Sequence, residues 1–244
     1  MRDSAPTGGI GMRREMGGAA VALLALAPTA CRPGAEPAPG ASRPVVVREV
    51  VVPPPASCCA DVERGLLVQL NAARTDPTGY ARQLESRLPY FRGALFQRPT
   101  DRIARETREG AAAVREAVSA LRATPPRPAL RRSEGMSRAA ADHVRDQGPR
   151  GAVGHDGRDG STTGSRVNRY GTWGVRLTES ISYGPATAHD VIADLLIDDG
   201  VPNRGHRRNL LDPDVRVAGV ACGAHGRFGV MCVIDLAGDY TEKQ

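Results

Sequence analysis

Two apolar runs near the C-terminus, Val217-Ala218-Gly219-Val220-Ala221-Cys222 and Val230-Met231-Cys232-Val233-Ile234, flank the segment Gly223-Ala224-His225-Gly226-Arg227. Short β-branched runs on either side of a glycine-bearing connection predict an antiparallel hairpin. Each run carries one cysteine, so in an oxidising compartment a cross-strand Cys222–Cys232 disulfide is expected. Cys58 and Cys59 are adjacent, and neighbouring cysteines rarely bond to each other, so their partners stay open. No CxxC spacing occurs that would suggest a cysteine-held metal.

Helical periodicity dominates the chain before this hairpin. Val62, Leu66, Leu67, Leu70 and Ala73 recur three or four apart and predict an amphipathic helix from about Asp61. Asp76-Pro77-Thr78-Gly79 interrupts it, and a second helix is expected over Tyr80–Leu88, followed by a loop from Pro89 to Pro99. Ala111–Leu121 is a third, ended by Pro125-Pro126-Arg127-Pro128. Ser133 is a candidate N-cap for a fourth over Ser133–Gln147. Gly151–Gly164 is a Gly, Asp and Ser loop, Val175–Tyr183 an extended segment, and Ala186–Ile197 another amphipathic helix. Helices first, then a small antiparallel sheet with one inserted helix, make an α+β layered domain rather than a doubly wound one.

The N-terminus carries an export address. Arg13 and Arg14 precede the apolar run Ala19–Ala27, and Pro28-Thr29-Ala30 leads into Cys31. This is the layout of a secretory signal, with a run too short for a permanent span. Either Met1 or Met12 could serve as its start. Small residues before Cys31 resemble a lipoprotein signal, which would lipidate that cysteine and anchor the chain to a membrane; simple cleavage and secretion is the alternative. Residues 1–31 are read as this signal, 32–59 as a Pro- and Ala-rich tether, 60–238 as the folded domain and 239–244 as a tail. The chain is basic, with a net charge of +6, but its arginines are scattered among acids and no aromatics interleave with them. That pattern lacks a nucleic-acid footprint. A monomer outside the cytoplasm is expected.

Three stretches hold the chemistry: Gly154-His155-Asp156-Gly157-Arg158-Asp159-Gly160-Ser161, Thr178-Glu179-Ser180-Ile181-Ser182-Tyr183-Gly184, and Gly205-His206-Arg207-Arg208-Asn209-Leu210-Leu211. Two imidazoles and a carboxylate suit a divalent metal such as zinc. They equally suit general acid–base work, and sequence separation leaves open whether they meet. His143 reads as a packed helix histidine, and His189 and His225 as solvent-facing. Asp156, Asp159 and Ser161 have no EF-hand spacing, and an Asx-rich turn explains them. Tyr170, Trp173 and Tyr183 are candidates to wall a cleft, with a core position as the ordinary alternative for a lone Trp.

These stretches resemble the signature of the CAP superfamily, the cysteine-rich secretory, antigen 5 and pathogenesis-related proteins, in its bacterial SCP-like branch. The family's first His, its Glu in a Glu-Asn-Ile turn and its His in a Gly-His-Arg-x-Asn run fall on His155, Glu179 and His206. Leu70-Asn71-Ala72-Ala73-Arg74 is similar to the family's first-helix Asn-x-x-Arg, and the similarity covers roughly Asp61 to Leu236. The resemblance implies an α-β-α sandwich. Two positions depart from the pattern: Ser180 stands where Asn is usual, and Asp198 is the positional counterpart of a second Glu, with Asp194 and Asp199 nearby.

The resemblance implies a cleft of His155, Glu179, Asp198 and His206, with His155 and His206 as metal ligands. Three functions follow. A cell-envelope binding module would hold a divalent ion and an extended, lipidic or peptide ligand. A hydrolase would use Glu179 as a general base on water, or Ser180 or Ser182 with His206; no nucleophile elbow or HExxH spacing supports this, so the balance leans away from an enzyme. A purely structural cleft would have His155 and Glu179 satisfy each other.

Overall fold

A computed structural model describes residues 56–244, with side chains from Cys59 onward. The signal segment, Cys31 and the tether up to residue 55 lie outside the described residues, as does the Cys58 side chain. The tether ends four residues earlier than its composition suggests, because α1 begins at Ala56 (Ala56–Thr75). Asp76-Pro77 then starts a helix instead of only breaking one. The Asp76 carboxylate accepts from Gly79 N at 2.7 Å, and Pro77 sits in the first turn of α2 (Pro77–Glu85). The segment read as a loop supplies two strands of a miniature antiparallel sheet, β1 (Phe91–Arg92) and β2 (Leu95–Phe96), and β3 (Arg105–Glu106) beyond it supplies the third.

Next come α3 (Ala111–Ala123), β4 (Arg131–Arg132) and α4 (Glu134–Gln147), the last capped by Ser133 Oγ accepting from Met136 N. A short α5 (Thr163–Val167) precedes the long strand β5 (Gly171–Tyr183). Then α6 (Ala188–Ile197) and α7 (Gly205–Leu210) lead into the expected hairpin, β6 (Val217–His225) and β7 (Gly229–Glu242). Residues 239–242 are therefore strand and not tail: Gly171–Gly174 of β5 pairs with Asp239–Glu242. The Glu242 carboxylate also accepts from Ser133 Oγ (2.7 Å) and Gly135 N (2.9 Å), closing the start of α4.

The main sheet has the order β4-β6-β7-β5, with only the β4–β6 pair parallel. Period-two alternation sorts the hairpin residues between two helical layers. Val230, Cys232, Ile234 and Leu236 of β7 join the core built with α1, α2, α3 and α6. Met231, Val233 and Ala237 face the other way and pack with α4 residues such as Met136, Ala140 and Val144. The result is the α-β-α sandwich. Cys222 and Cys232 are register partners and form the disulfide, and Cys59 is buried in the larger core. Gly219 is where α4 rides directly on β6, since a Cβ there would lie 2.2 Å from the Met136 carbonyl carbon.

The first-helix pair Asn71 and Arg74 ties the layers together. Asn71 Oδ1 accepts from Leu130 N (2.8 Å) and its Nδ2 donates to Leu130 O (3.1 Å), mimicking a strand neighbour. Arg74 is fully buried and donates to the carbonyls of Pro128, Leu210, Asp212 and Val215. Arg74→Met would strand those carbonyls, and buried unsatisfied groups cost about 1–3 kcal/mol each, so a loss of about 3–5 kcal/mol in urea unfolding is expected. A loss below about 1 kcal/mol would show that water replaces the guanidinium freely.

Candidate functional site

Glu179 sits on β5 on the face covered by α4 and is 7% exposed. His155, from the loop after α4, brings its Nδ1 to 2.7 Å from Glu179 Oε1. Arg166 on α5 donates from Nη2 to Glu179 Oε2, also at 2.7 Å, and from Nη1 to the carbonyls of His155 (3.0 Å) and Ser161 (2.9 Å). One guanidinium therefore neutralises the glutamate and holds the histidine loop above it. Burial pushes the Glu179 carboxyl up, but the His155 hydrogen bond and the Arg166 charge outweigh that and keep it below its ordinary value. The same hydrogen bond raises His155 above 6.5, against the pull of its partial burial.

Opposite Glu179 in the β5–β7 register stands Asp235, fully buried. Neither of its carboxyl oxygens has a hydrogen-bond partner among the described residues. Burial, then the nearby negative Glu179, holds its carboxyl well above the usual range despite Arg166. Two adjacent carboxyls thus divide: Glu179, with the cationic partners, is held below its ordinary value, and Asp235, without them, is held well above its own. Asp235 and Arg166 are members of the site that motif reading does not single out. The available signal was a lone carboxylate inside the apolar run Val233-Ile234-Asp235-Leu236, at an inward register position.

The second histidine has its own carboxylate. His206 lies in the first turn of α7, where its Nδ1 is 2.7 Å from Asp198 Oδ1 and its backbone N donates to Asp198 Oδ2 at 2.9 Å. Asp198 caps α6 with φ +56°, and this left-handed turn swings a short side chain onto the ring. Asp194 instead pairs with Arg87 and Arg105. Asp199 accepts from Arg108 N and Glu109 N. The four cleft residues thus form two His–carboxylate pairs. Glu179 belongs to β5, the edge strand of the sheet, and Ile181 and Tyr183 of the same strand line a cavity with His206 and Asp198. No hydrogen bond joins the pairs; Asn209 of α7 links them indirectly by donating to the Glu179 backbone carbonyl at 3.3 Å.

A cavity of about 260 Å³ opens beside His206 and Asp198, walled by Phe91, Val114, Ile181, Leu195, Ile197 and Tyr183. The miniature sheet forms one side. Phe96 anchors it under the guanidiniums of Arg87, Arg98 and Arg105, and Arg87 and Arg98 in turn hold the buried Asp190. His155 and Glu179 do not line this cavity.

Several other expectations change. His225 is fully buried, not solvent-facing: its Nε2 lies 2.8 Å from Ala152 O, and its Nδ1 accepts from Arg227 N and Phe228 N, so the ring organises the hairpin turn. His189 is half-buried against Tyr80. His143 is the packed helix residue expected, with Nε2 2.9 Å from Gly154 O. Tyr183 does wall the cavity, whereas Trp173 is 36% exposed on the outer half of β5 and Tyr170 bonds to Asp142. Ser180 and Ser182 are buried without a hydrogen bond to any histidine ring. Asp159 accepts from Ser161 N, the local turn contact expected.

Nδ1 donation to a carboxylate fixes each ring's tautomer and leaves Nε2 as the lone-pair atom. That is the form in which histidine binds a metal or accepts from a ligand donor. A closed zinc centre requires three or four protein ligands, and among the described residues no group of three or more His, Cys, Asp or Glu is placed to hold an ion.

Residues 115–236, half of the chain, match the profile of the cysteine-rich secretory protein family, CAP. No curated protein matches. An extracellular protein containing a SCP domain from Bacillus anthracis str. Ames is 18% identical, with 49% of this chain covered and a TM-score of 0.37; the match spans only 36% of the Bacillus chain. An outer surface protein from Borrelia burgdorferi is 17% identical, with 47% of this chain and 78% of that one covered and a TM-score of 0.38.

The divided carboxyls predict an unusual pH dependence. A carboxyl with a raised folded value binds its proton more tightly folded than unfolded, so stability falls as pH rises above the ordinary carboxylate range. Asp235→Asn removes that loss. Its thermal midpoint should exceed the wild type's at pH 8, by the equivalent of on the order of 1–2 kcal/mol. The gain should vanish near pH 4, about where an unfolded aspartate titrates. Parallel pH profiles for the two proteins would contradict the assignment.

Proposed function

This chain belongs to the CAP family of cysteine-rich secretory proteins, and on that premise we propose that it acts outside the cytoplasm as a ligand-binding module. The observation that carries this reading is the pair of oriented imidazoles, each tied at Nδ1 and open at Nε2, with an apolar-walled cavity beside one of them. Such a site combines orienting polar atoms with a surface for an extended or lipidic ligand. The Cys222–Cys232 disulfide and the N-terminal export signal support an extracytoplasmic location. A lipid on Cys31 would attach the chain to a membrane; no described helix is long and apolar enough to cross a bilayer.

A hydrolytic role is less well supported. Glu179 has one oxygen on His155 and the other on Arg166, and is nearly inaccessible to the water it would have to activate. No serine hydroxyl meets a histidine ring among the described residues, so the nucleophile–base pair of acyl transfer is absent from that set. A divalent ion, if taken up, would be held by His155 Nε2, His206 Nε2 or both, and would supply a Lewis-acidic contact for an anionic ligand group.

Zinc titration of the full chain by calorimetry tests this reading. Saturable binding is expected in the micromolar range or weaker, as about two imidazoles without a third ligand would give. His155→Ala/His206→Ala should abolish it while lowering the thermal midpoint, because the buried Glu179 and Asp198 each lose a partner. Absence of zinc binding by the wild type, with strong destabilisation of the double variant, would favour histidines that only lock the loops.

A further inference from the structure

Another cavity, of about 570 Å³, is lined by Gly205, Arg207, Arg208 and Asn209 of α7 and does not include His206. Its charge is one-sided: Arg127, Arg176, Arg207 and Arg208 line it against a single carboxylate, Asp212. Two of the four are already neutralised, Arg207 by Glu116 and Arg176 by Asp212 at 2.8 Å. Arg127 and Arg208 have no side-chain hydrogen bond or ion pair among the described residues, and the Arg127 Nε is buried without an acceptor. The hydrogen-bond acceptors of the buried Arg74 are all backbone carbonyls, one of them that of Asp212. Burial, then the charges of Arg216 and Arg127, lowers its guanidinium to about 10. Uncompensated positive charge has therefore been assembled where the fold does not need it.

Backbone conformation points the same way. The β5–β7 register breaks between Gly174 and Leu177, where Val175 (φ +45°) and Arg176 (φ +77°) both occupy the left-handed region. For a β-branched residue that is a costly conformation, and such strain persists where the surroundings impose it. Here the bulge turns Arg176 out of the ladder and onto the cavity rim.

We infer that this cavity is a phosphate-binding site, distinct from the imidazole cleft, in which Arg127 and Arg208 donate to the phosphate oxygens and Arg176 closes the rim. Guanidinium forks match the oxygen geometry of phosphate, and several of them around one dianion is its usual protein environment. The volume exceeds that of a lone phosphate ion, so room remains for the group that carries it. A soluble phosphate ester and a phospholipid headgroup both present this chemistry.

Calorimetric titration of the full chain with inorganic phosphate, in a sulfate-free chloride buffer, tests the site. Saturable binding is expected, weakened roughly tenfold or more in Arg127→Ala/Arg208→Ala, as expected when charge-assisted hydrogen bonds are lost. Neither residue has a partner to strand, so the thermal midpoint should hold; Arg208→Glu, a single exposed change, provides the same reading should the double variant fold poorly. His155→Ala/His206→Ala should leave phosphate affinity unchanged, which separates this site from the cleft. Phosphatidylglycerol vesicles, with phosphatidylcholine vesicles as control, identify the source. Arginine-dependent capture of the former assigns a headgroup, and phosphate binding without vesicle capture assigns a soluble ester. No saturable binding to phosphate or to phosphatidylglycerol, or equal affinity in wild type and both arginine variants, would overturn the inference.

Discussion

A carboxylate with almost no access to water must be balanced by fixed partners, and the site is arranged around that requirement at Glu179. Isolated burial of an ionised carboxyl costs several kcal/mol even after relaxation. Arg166 supplies the opposing charge, itself 1% exposed, and uses Nη1 on the carbonyls of His155 and Ser161. The histidine loop is thus held by the same guanidinium that neutralises the glutamate. Asp235, opposite Glu179 on the neighbouring strand, has no cation of its own, and its carboxyl is held well above the usual range.

A comparable arrangement holds His206. Asp198, the C-cap of α6, adopts a left-handed conformation and directs both oxygens to one histidine, backbone and ring. A shorter acid therefore suffices where the family pattern has glutamate, because the turn brings the carboxyl to the ring. Asn209 of the Gly-His-Arg-x-Asn run fixes α7 to the edge strand β5 through the Glu179 carbonyl. Arg207 of the same run is structural, bound to Glu116 and to the carbonyls that end α6.

Period and spacing made the layers legible in advance. Alternation in the terminal hairpin and the 3.6-residue stripes of α1, α3 and α4 are local patterns that tertiary packing reinforces. The miniature sheet was not legible, because two-residue strands carry no period and are held by Phe96 beneath three arginines. His225 misled for a related reason: a polar residue in a turn usually faces water, but this ring satisfies the turn's own N–H groups. In the site, motif residues could be named, yet their grouping into two pairs depends on a strand edge that sequence does not display. Arg166 and Asp235 were hidden because a buried charge is recognisable only once its partner is in place.

The central claim is that both histidines are held at Nδ1 by carboxylates and present Nε2 to whatever binds. Long-range proton–nitrogen correlation spectra of the imidazoles, recorded on the full chain at alkaline pH with the rings neutral, read this directly. The structure predicts the Nδ1–H tautomer for both His155 and His206, with Nε2 unprotonated. Nε2–H rings, or the averaged signals of freely exchanging tautomers at either residue, would contradict it.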